Sequence, residues 1–311
     1  MNLRTRIAPT PSGYLHLGNA WSFVLTWLAA RSQNGHIHLR IDDLDAARYR
    51  DEYLEDIFET LHWLGLDWDS GPHDLTEFKS DYSQQLRLSR YHEALALLQA
   101  QGKVYACSCS REQIRRDAEV ARHSVYPGTC REKKLPFNEV ENALRFRVDA
   151  AVKARDESGK VFELHPERDM GDFVLRQKSG DPSYQLASVM DDVDARINFV
   201  VRGLDLTPST GAQLSLAQSL ALKSFSQARF WHHALMVDDG GEKLSKSEGA
   251  ESIRALRQKF SDPSPLFRFF ARHLGMEPNG IFSVQDLLGG FRVEKVATMP
   301  LKLSDFWGGN A

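Results

Sequence analysis

Apolar residues recur along the first hundred positions at spacings that alternate between those of strands and helices. Residues 3–8 predict a short strand, residues 19–32 a helix, and residues 36–41 a second strand. Helical spacing returns at 54–64 and again at 82–100. A strand, a helix and a second strand in this order make a β-α-β unit, so the chain is predicted to begin as an α/β fold.

The pattern changes near residue 103, where cysteines cluster and basic residues become frequent. Strands are predicted at 143–148 and 173–177, and the α/β alternation then resumes. The segments that resume it are 184–192, 197–202 and 212–222. We therefore predict one sheet domain in two halves, an inserted α+β domain between them, and a small helical C-terminal region. The predicted domains are 1–102, 103–183, 184–235 and 236–311.

The composition is that of an ordinary folded chain, with 42% hydrophobic and 26% charged residues among 311. No stretch reaches the roughly 18 consecutive apolar residues of a membrane span, and the first residues lack the apolar core of a signal peptide. We therefore expect a cytoplasmic protein with no membrane partner. The net charge of -3 gives no overall attraction to nucleic acid, so any RNA contact requires a local basic surface.

Basic residues of the inserted segment are the candidates for that surface, and a solvated face is the equal alternative. These residues are Lys103, Arg111, Arg115, Arg116, Lys133 and Lys134.

A proline and glycine turn, APTPSGYLHLGNA, leads directly into the first predicted helix. A helix that follows a parallel strand presents unpaired N–H groups and the positive end of its dipole, which together form a site for phosphate. In that place Gly18 lets a nucleotide approach the backbone, His16 donates a hydrogen bond to a phosphate, and Asn19 serves as N-cap or as another polar contact. The alternative is a surface turn in which Asn19 is only a cap.

A second candidate segment, GGEKLSKSEG, places two lysines in a glycine-flanked loop. Two lysines three residues apart suit a loop that closes on a polyphosphate, whereas a solvated basic loop is the alternative. Together, HLGN and KLSKS resemble the paired signature motifs of class I aminoacyl-tRNA synthetases. The resemblance implies a Rossmann-type parallel sheet, interrupted by the insertion, that binds ATP. The implied catalytic residues are His16, Asn19, Lys243 and Lys246, and Gly18 joins them in binding ATP.

Longer stretches are similar to the glutamyl branch of this family and cover most of the chain: RIAPTPSGYLHLGNA, LRIDDLDAARYRDEYLEDIFETLHWLGLDWDSGP, and YQLASVMDD followed by VVRGLDL. Within the branch, three features favour the shortened glutamyl-queuosine tRNA(Asp) synthetases. The chain stops at 311, which leaves no room for a large anticodon-binding region. RGLDL is similar to the R-G-A-D-L of the shortened family. The spacing Cys-x-Cys followed by Tyr-x3-Cys is that family's zinc pattern.

The chain contains only three cysteines: Cys107, Cys109 and Cys130. This number is small and odd, so a disulfide framework is not expected. Cys107 and Cys109 are two apart on an extended segment and so face the same way, and Zn²⁺ takes four ligands in a tetrahedron. Chemistry alone favours His123 as the fourth ligand, because imidazole is a commoner zinc donor than a phenol. The family pattern implies Tyr126 instead, and we adopt Tyr126. A cysteine cluster without metal is the alternative.

Recognition of glutamate requires a cation for the side-chain carboxylate and an anion for the α-ammonium group. Arg6 and Arg202 are the candidate cations, and they match the arginines near the carboxylate in the family. Asp42 matches the acid that holds the amine, although glutamyl enzymes usually carry Glu there; alternatively, Arg6 and Asp42 only pair with each other. Ser188 replaces an asparagine of glutamyl-tRNA synthetases. Other wall positions implied by the resemblance are Ala8, Thr10 and Tyr184.

The resemblance implies an ATP-dependent ligase that forms glutamyl-adenylate from L-glutamate and Mg-ATP. It would then transfer the glutamate to queuosine in the anticodon loop of tRNA(Asp), acting as a monomer with structural zinc. The runner-up is a truncated glutamyl-tRNA synthetase that charges the 3′ end of tRNA(Glu). An RNA- or nucleotide-binding module without catalysis and a simple nucleotidyltransferase are further alternatives.

Overall fold

The computed structural model describes residues 2–121, 125–137, 141–242, 244 and 252–308. Within them the strands are β1 (Arg4–Ile7), β2 (His36–Leu39), β3 (Val104–Cys107), β4 (Ala143–Phe146), β5 (Val152–Arg155), β6 (Val161–Leu164), β7 (Val174–Arg176), β8 (Phe199–Gly203), β9 (Arg229–His233), β10 (Met236–Val237) and β11 (Leu301–Lys302). The helices are α1 (Leu17–Arg31), α2 (Asp51–Trp63), α3 (Leu75–Glu77), α4 (Leu88–Ala100), α5 (Arg111–Ala121), α6 (Pro166–Asp169), α7 (Tyr184–Asp194), α8 (Thr207–Ser219), α9 (Lys223–Ser226), α10 (Ile253–Lys259), α11 (Ser264–His273), α12 (Val284–Gly290) and α13 (Leu303–Gly308). His123, Lys243 and Lys246 lie outside the described residues.

These residues pack as two units. The described parts of Met1–Ser83, Phe199–Asp205 and Trp231–Ala311 form the first unit. Those of Gln84–Asn198 and Leu206–Phe230 form the second. The domain boundaries drawn from the sequence stay a prediction.

The first unit opens with the predicted β-α-β arrangement. β1 and β2 pair in parallel, with Arg6 opposite His38, and α1 connects them. β8 lies beside β1, and β10 pairs in parallel with β11. Because the strands run parallel, the loops that follow β1 and β2 leave from the same edge of the sheet.

Helix α1 is buried along most of its circumference, which fixes where its N-terminus points. Trp21, Leu25 and Leu28 are fully buried, and α1 contacts β1 and β8 as well as α12. The Trp21 ring lies 4.9 Å from that of Phe270 on α11. A helix that is apolar on nearly all sides requires such cover, and each large side chain buried here stabilises the fold by about 1.5–3 kcal/mol.

The second unit contains an antiparallel sheet in the order β3-β4-β7 and a β5-β6 hairpin, in which Arg155 also pairs in parallel with Arg229. The predicted strands at 143–148 and 173–177 correspond to β4 and β7. The stretch that resumes the alternation after residue 183 is helix α7. None of the helices in the described ranges combines the length and the apolar character needed to cross a bilayer.

Candidate active site

The turn after β1 ends in a capping box at the start of α1. His16 is the N-cap, and its Nδ1 accepts a hydrogen bond from the Gly18 amide at 3.1 Å. The Asn19 side chain accepts in return from the His16 amide at 3.0 Å. Of the two roles predicted for Asn19, the N-cap is therefore wrong: Asn19 is the third helical residue, and its side chain completes the box from inside the helix.

This cap fixes the chemistry of the His16 ring. Because Nδ1 accepts the Gly18 amide, the neutral imidazole carries its proton on Nε2. An N–H on that nitrogen is the donor that a phosphate oxygen requires. The first turn of α1 contains no acidic side chain, so the positive end of its dipole is not neutralised locally.

Gly18 has little room for a side chain. A Cβ there would lie 3.0 Å from Cε1 and 3.1 Å from Nδ1 of the His16 ring, and 3.8 Å from Cβ of Met236. Any larger residue would push against the imidazole and shift it.

Two described residues, Leu244 between the predicted lysines and Ser252 after them, lie near this turn. Leu244, next to Lys243 in the chain, is buried in the core of the first unit, and its amide contacts the Met236 carbonyl at 3.3 Å. Ser252 forms a backbone bridge with His16 itself. Lys243 and Lys246 themselves lie outside the described residues, so their role stays a prediction.

The arginines predicted for glutamate recognition lie on neighbouring strands of the first unit. Arg6 on β1 is buried, and its guanidinium donates to the Val201 carbonyl on β8 at 3.3 Å. Arg202, the next residue of β8, is also buried. Burial and the nearby charge of Arg202 lower the pKa of His232 to about 3, so this imidazole is neutral at physiological pH.

Asp42 lies in a buried ion pair that the sequence analysis did not predict. Arg40 Nε donates to Asp42 Oδ1 at 2.6 Å and its terminal nitrogen donates to Oδ2 at 3.2 Å. The Asp42 amide donates to the Pro9 carbonyl at 2.9 Å, which ties the segment after β2 to the segment after β1. The sequence could have indicated Arg40 as the partner of Asp42, because side chains two residues apart in an extended segment lie on the same side.

The other residues that the resemblance singles out stay predictions as parts of a glutamate site. Ala8 and Thr10 are half-buried in the first unit, beside the Pro9 carbonyl that Asp42 contacts. In the second unit, Tyr184 begins α7 and is 38% exposed, whereas Ser188 on the same helix is buried.

Three buried thiols and one phenol converge in the second unit. The sulfur atoms of Cys107, Cys109 and Cys130 all lie within 4.8 Å of one another, and the closest pair, Cys109 and Cys130, is 3.4 Å apart. The Tyr126 oxygen lies 3.4 Å from Cys107 Sγ and 3.9 Å from Cys109 Sγ. Tetrahedral zinc–sulfur bonds of about 2.3 Å place sulfurs about 3.8 Å apart, so this donor set fits Zn²⁺.

Burial favours the protonated forms of Cys109 and Tyr126. It raises the pKa of Cys109 to about 12 and also raises the pKa of Tyr126. Burial opposes ionisation of Cys130 as well, but hydrogen bonds from Cys109 and from the Ser108 amide lower its pKa to about 7. Metal binding at such a cluster releases protons, so metal affinity falls as the pH is lowered.

The basic residues proposed for RNA lie in the second unit. Lys103 pairs with Asp149 at 3.0 Å and Arg115 with Glu119 at 3.4 Å, both at partly exposed positions. Their contact with RNA stays a prediction.

An ion pair near the turn joins Asp56 to Arg257. The sequence does not indicate this pair, because the partners are 201 residues apart.

The chain is similar to a known protein family over nearly its whole length. Residues 2–303 match the family model described as "tRNA synthetases class I (E and Q), catalytic domain". A Glutamyl-Q tRNA(Asp) synthetase of Nitratidesulfovibrio vulgaris is 37% identical over 96% of this chain and 95% of its own length. Another, of Prochlorococcus marinus MIT 9303, is 38% identical over 89% of this chain and 83% of its own. Glutamate–tRNA ligase 1 of Acidithiobacillus ferrooxidans is 34% identical over 95% of this chain but only 62% of the ligase.

Solved structures show the same fold. Glutamate-tRNA synthetase from Elizabethkingia anophelis matches with a TM-score of 0.78 at 23% identity, covering 98% of this chain and 69% of that one. A glutamate tRNA ligase from Elizabethkingia meningosepticum, in complex with its amino acid, matches with a TM-score of 0.76 at 22% identity, covering 98% and 68%. The predicted class I synthetase fold is thereby confirmed.

Proposed function

This chain belongs to the class I tRNA synthetases of the glutamate and glutamine group, and we propose that it activates L-glutamate with ATP and attaches it to queuosine in the anticodon of tRNA(Asp). The observation that carries the proposal is the likeness to Glutamyl-Q tRNA(Asp) synthetases over nearly the full length of both chains. The alternative is charging of the 3′ end of tRNA(Glu), and the likeness to glutamate–tRNA ligases supports it. That likeness covers a smaller share of the relative's length.

In the first step the glutamate α-carboxylate attacks the α-phosphorus of Mg-ATP in line, and pyrophosphate leaves. Positioning and charge neutralisation supply most of the catalysis, so no side chain is required as a general base. We assign His16 and Asn19 to the ATP, with the Nε2–H of His16 directed to phosphate oxygen. Gly18 admits the nucleotide to the backbone. Lys243 and Lys246 are assigned to the departing pyrophosphate.

Glutamate would be held by charges of opposite sign at its two ends. Arg6 and Arg202, buried on adjacent strands, are assigned to the side-chain carboxylate. Asp42 is assigned to the α-ammonium group, and its bidentate contact with Arg40 fixes the direction of its carboxylate. Ala8, Thr10 and Tyr184 are assigned to the walls.

In the second step a hydroxyl group of the queuosine cyclopentene ring attacks the activated carbonyl, and AMP leaves. The basic residues of the second unit that the sequence analysis singled out are assigned to the RNA backbone. Cys107, Cys109, Tyr126 and Cys130 would hold zinc, which supplies a structural cross-link when bound.

ATP–pyrophosphate exchange without tRNA tests the activation step. We expect exchange with glutamate and little with glutamine or aspartate; absence of glutamate-dependent exchange would favour a binding module without catalysis. Lys246→Ala is expected to slow exchange by about 10²–10³-fold with little change in glutamate affinity. Unchanged exchange in this variant would remove Lys246 from its assigned role.

Charging assays separate the two acceptors. We expect [¹⁴C]glutamate to be attached to tRNA(Asp) that contains queuosine and not to the same tRNA without it. Charging of tRNA(Glu) at its 3′ end, in place of tRNA(Asp), would establish the alternative.

A further inference from the structure

A buried ion pair joins α2 to α10 outside the residues assigned to substrates. The Asp56 side chain is 3% exposed, and its Oδ1 accepts from Arg257 Nη2 at 3.0 Å. Arg257 Nη1 also donates to the Asp56 carbonyl at 3.3 Å and to Thr60 Oγ1 at 3.0 Å. Arg257 also pairs with the exposed carboxylate of Glu59. One guanidinium therefore contacts two carboxylates, a backbone oxygen and a hydroxyl on a single helix.

Stability alone does not explain such a pair. Well-packed apolar residues of similar volume usually stabilise a fold as well as a buried ion pair or better, because burial removes both charges from water. Burial raises the pKa of Asp56, while Arg257 acts in the opposite direction. The pair also joins α10 to α2 through directional hydrogen bonds, which apolar residues cannot form.

The start of α10 holds the turn that carries His16. The Ile253 amide donates to the Leu15 carbonyl at 2.7 Å, and Ser252 forms a backbone bridge with His16. Arg254 donates to the Tyr14 hydroxyl, and its guanidinium lies 4.6 Å above the Tyr14 ring. Three successive residues before α1 are therefore each held by the first residues of α10 and its cap.

Tyr14 also connects the turn to α2 directly. Its ring meets that of Tyr53 edge to face, with centroids 5.0 Å apart. The turn thus contacts both α2 and α10, and the Asp56–Arg257 pair joins these two helices to each other.

We infer that Asp56 and Arg257 are a positioning pair for His16: they fix α10 on α2, and α10 in turn holds the backbone from which the imidazole projects. The inference rests on the proposed function, in which His16 contacts ATP phosphate. A displacement of about 1 Å at a reacting group can cost roughly 100-fold in rate, so loss of the pair is expected to lower kcat more than substrate affinity.

The test separates positioning from stability with a double variant. Arg257→Met alone leaves Asp56 buried and unpaired, whereas Asp56→Leu/Arg257→Met replaces the pair with apolar side chains that keep the fold stable. In glutamate-dependent exchange we expect both to lower kcat by about 10–100-fold, with the KM for glutamate changed by less than about 3-fold. The melting temperature of the double variant is expected to remain near that of the wild type.

Two further variants control the interpretation. Lys79→Met removes the exposed ion pair between Lys79 and Asp51, the first residue of α2, and it is expected to leave kcat unchanged. Arg254→Ala changes an exposed side chain of α10, so it should fold even where the buried variants do not, with kcat lowered about 3–10-fold. Wild-type kcat in the double variant, or in Arg254→Ala where the double variant does not fold, would overturn the inference. An equal loss in Lys79→Met would overturn it as well.

A spectroscopic measurement keeps the inference testable if the wild-type protein activates no glutamate. ¹⁵N-histidine NMR reports the tautomer of His16, assigned by His16→Gln. We expect the Nε2–H form in the wild type and in Lys79→Met, and mixed tautomers in the double variant because the contact of Nδ1 with the Gly18 amide is loosened. A wild-type His16 signal in the double variant contradicts positioning, whatever the substrate is.

Discussion

Tyr126→Phe removes one oxygen from the cysteine cluster and leaves the ring in place. That oxygen lies 3.4 Å from Cys107 Sγ and accepts the Cys130 amide at 2.8 Å. Structural zinc contributes about 10–16 kcal/mol of apparent binding free energy, so one of four equal donors accounts for about 3 kcal/mol, or roughly 100-fold in the Kd for zinc. Without metal, the variant leaves the buried Cys130 amide unpaired, which costs about 1–3 kcal/mol of stability.

Competition between the protein and a chromophoric chelator measures this Kd. His123→Ala is the matched control, because chemistry alone favoured His123 as the fourth ligand and the two variants separate the alternatives. We expect zinc affinity to fall about 100-fold in Tyr126→Phe and to remain unchanged in His123→Ala. The reverse order would refute the assignment of Tyr126, and a wild-type protein that binds no zinc would show that the cluster is metal-free.

Three other predictions concern the fold and the pocket. Gly71→Ala is expected to destabilise the protein by about 3 kcal/mol or more in urea unfolding, because its φ is +107° and a Cβ would lie 2.1 Å from a carbonyl oxygen of β2. Gly102→Ala, at φ +70° in open space, should cost only about 1–2 kcal/mol, and equal losses would show that the steric contact has no effect. Arg6→Met is expected to raise the KM for glutamate roughly 100-fold while sparing the KM for ATP, and an unchanged KM for glutamate would remove Arg6 from the pocket. Burial raises the pKa of Asp69, but a backbone amide and the Arg31 guanidinium together hold it below its usual range. Its stabilising effect is therefore complete above the unfolded pKa of about 3.9 and is lost as the pH falls through the lower native value, so Asp69→Asn should flatten the loss of stability in acid unfolding. If the free energy of unfolding of Asp69→Asn fell as steeply with decreasing pH as that of the wild type, this prediction would be contradicted.

Predictions from local sequence succeeded where local chemistry decides the structure. The strand, turn and helix around HLGN follow from apolar spacing and from a turn rich in proline and glycine, and the structure contains them at β1 and α1. Of the two roles predicted for Asn19, the N-cap is wrong, because His16, an uncommon residue at that position, caps the helix instead. Only the geometry shows that the His16 ring accepts the helix amide while Asn19 reaches back.

Contacts between distant parts of the chain could not be predicted in this way. Asp56 occupies a buried position of α2 among apolar residues, and its position on the helix gives no indication of the partner that compensates its charge. That partner, Arg257, is brought to it by the fold of the first unit. Apolar periodicity identifies the face of a helix, but the pairing of polar groups depends on which helices meet.

The contacts of Asp42 bear on a question that the sequence raises about the proposed glutamate site. Asp is about one methylene shorter than the usual Glu, so either the backbone lies closer to the amine or a water intervenes. The Asp42 amide donates to the Pro9 carbonyl, and Arg40 holds both carboxylate oxygens. These contacts draw the backbone at position 42 against the segment that contains Ala8 and Thr10, which favours the first explanation. In the role proposed for Asp42, a carboxylate fixed by its own backbone and by the Arg40 guanidinium would reach the amine without the longer side chain of Glu.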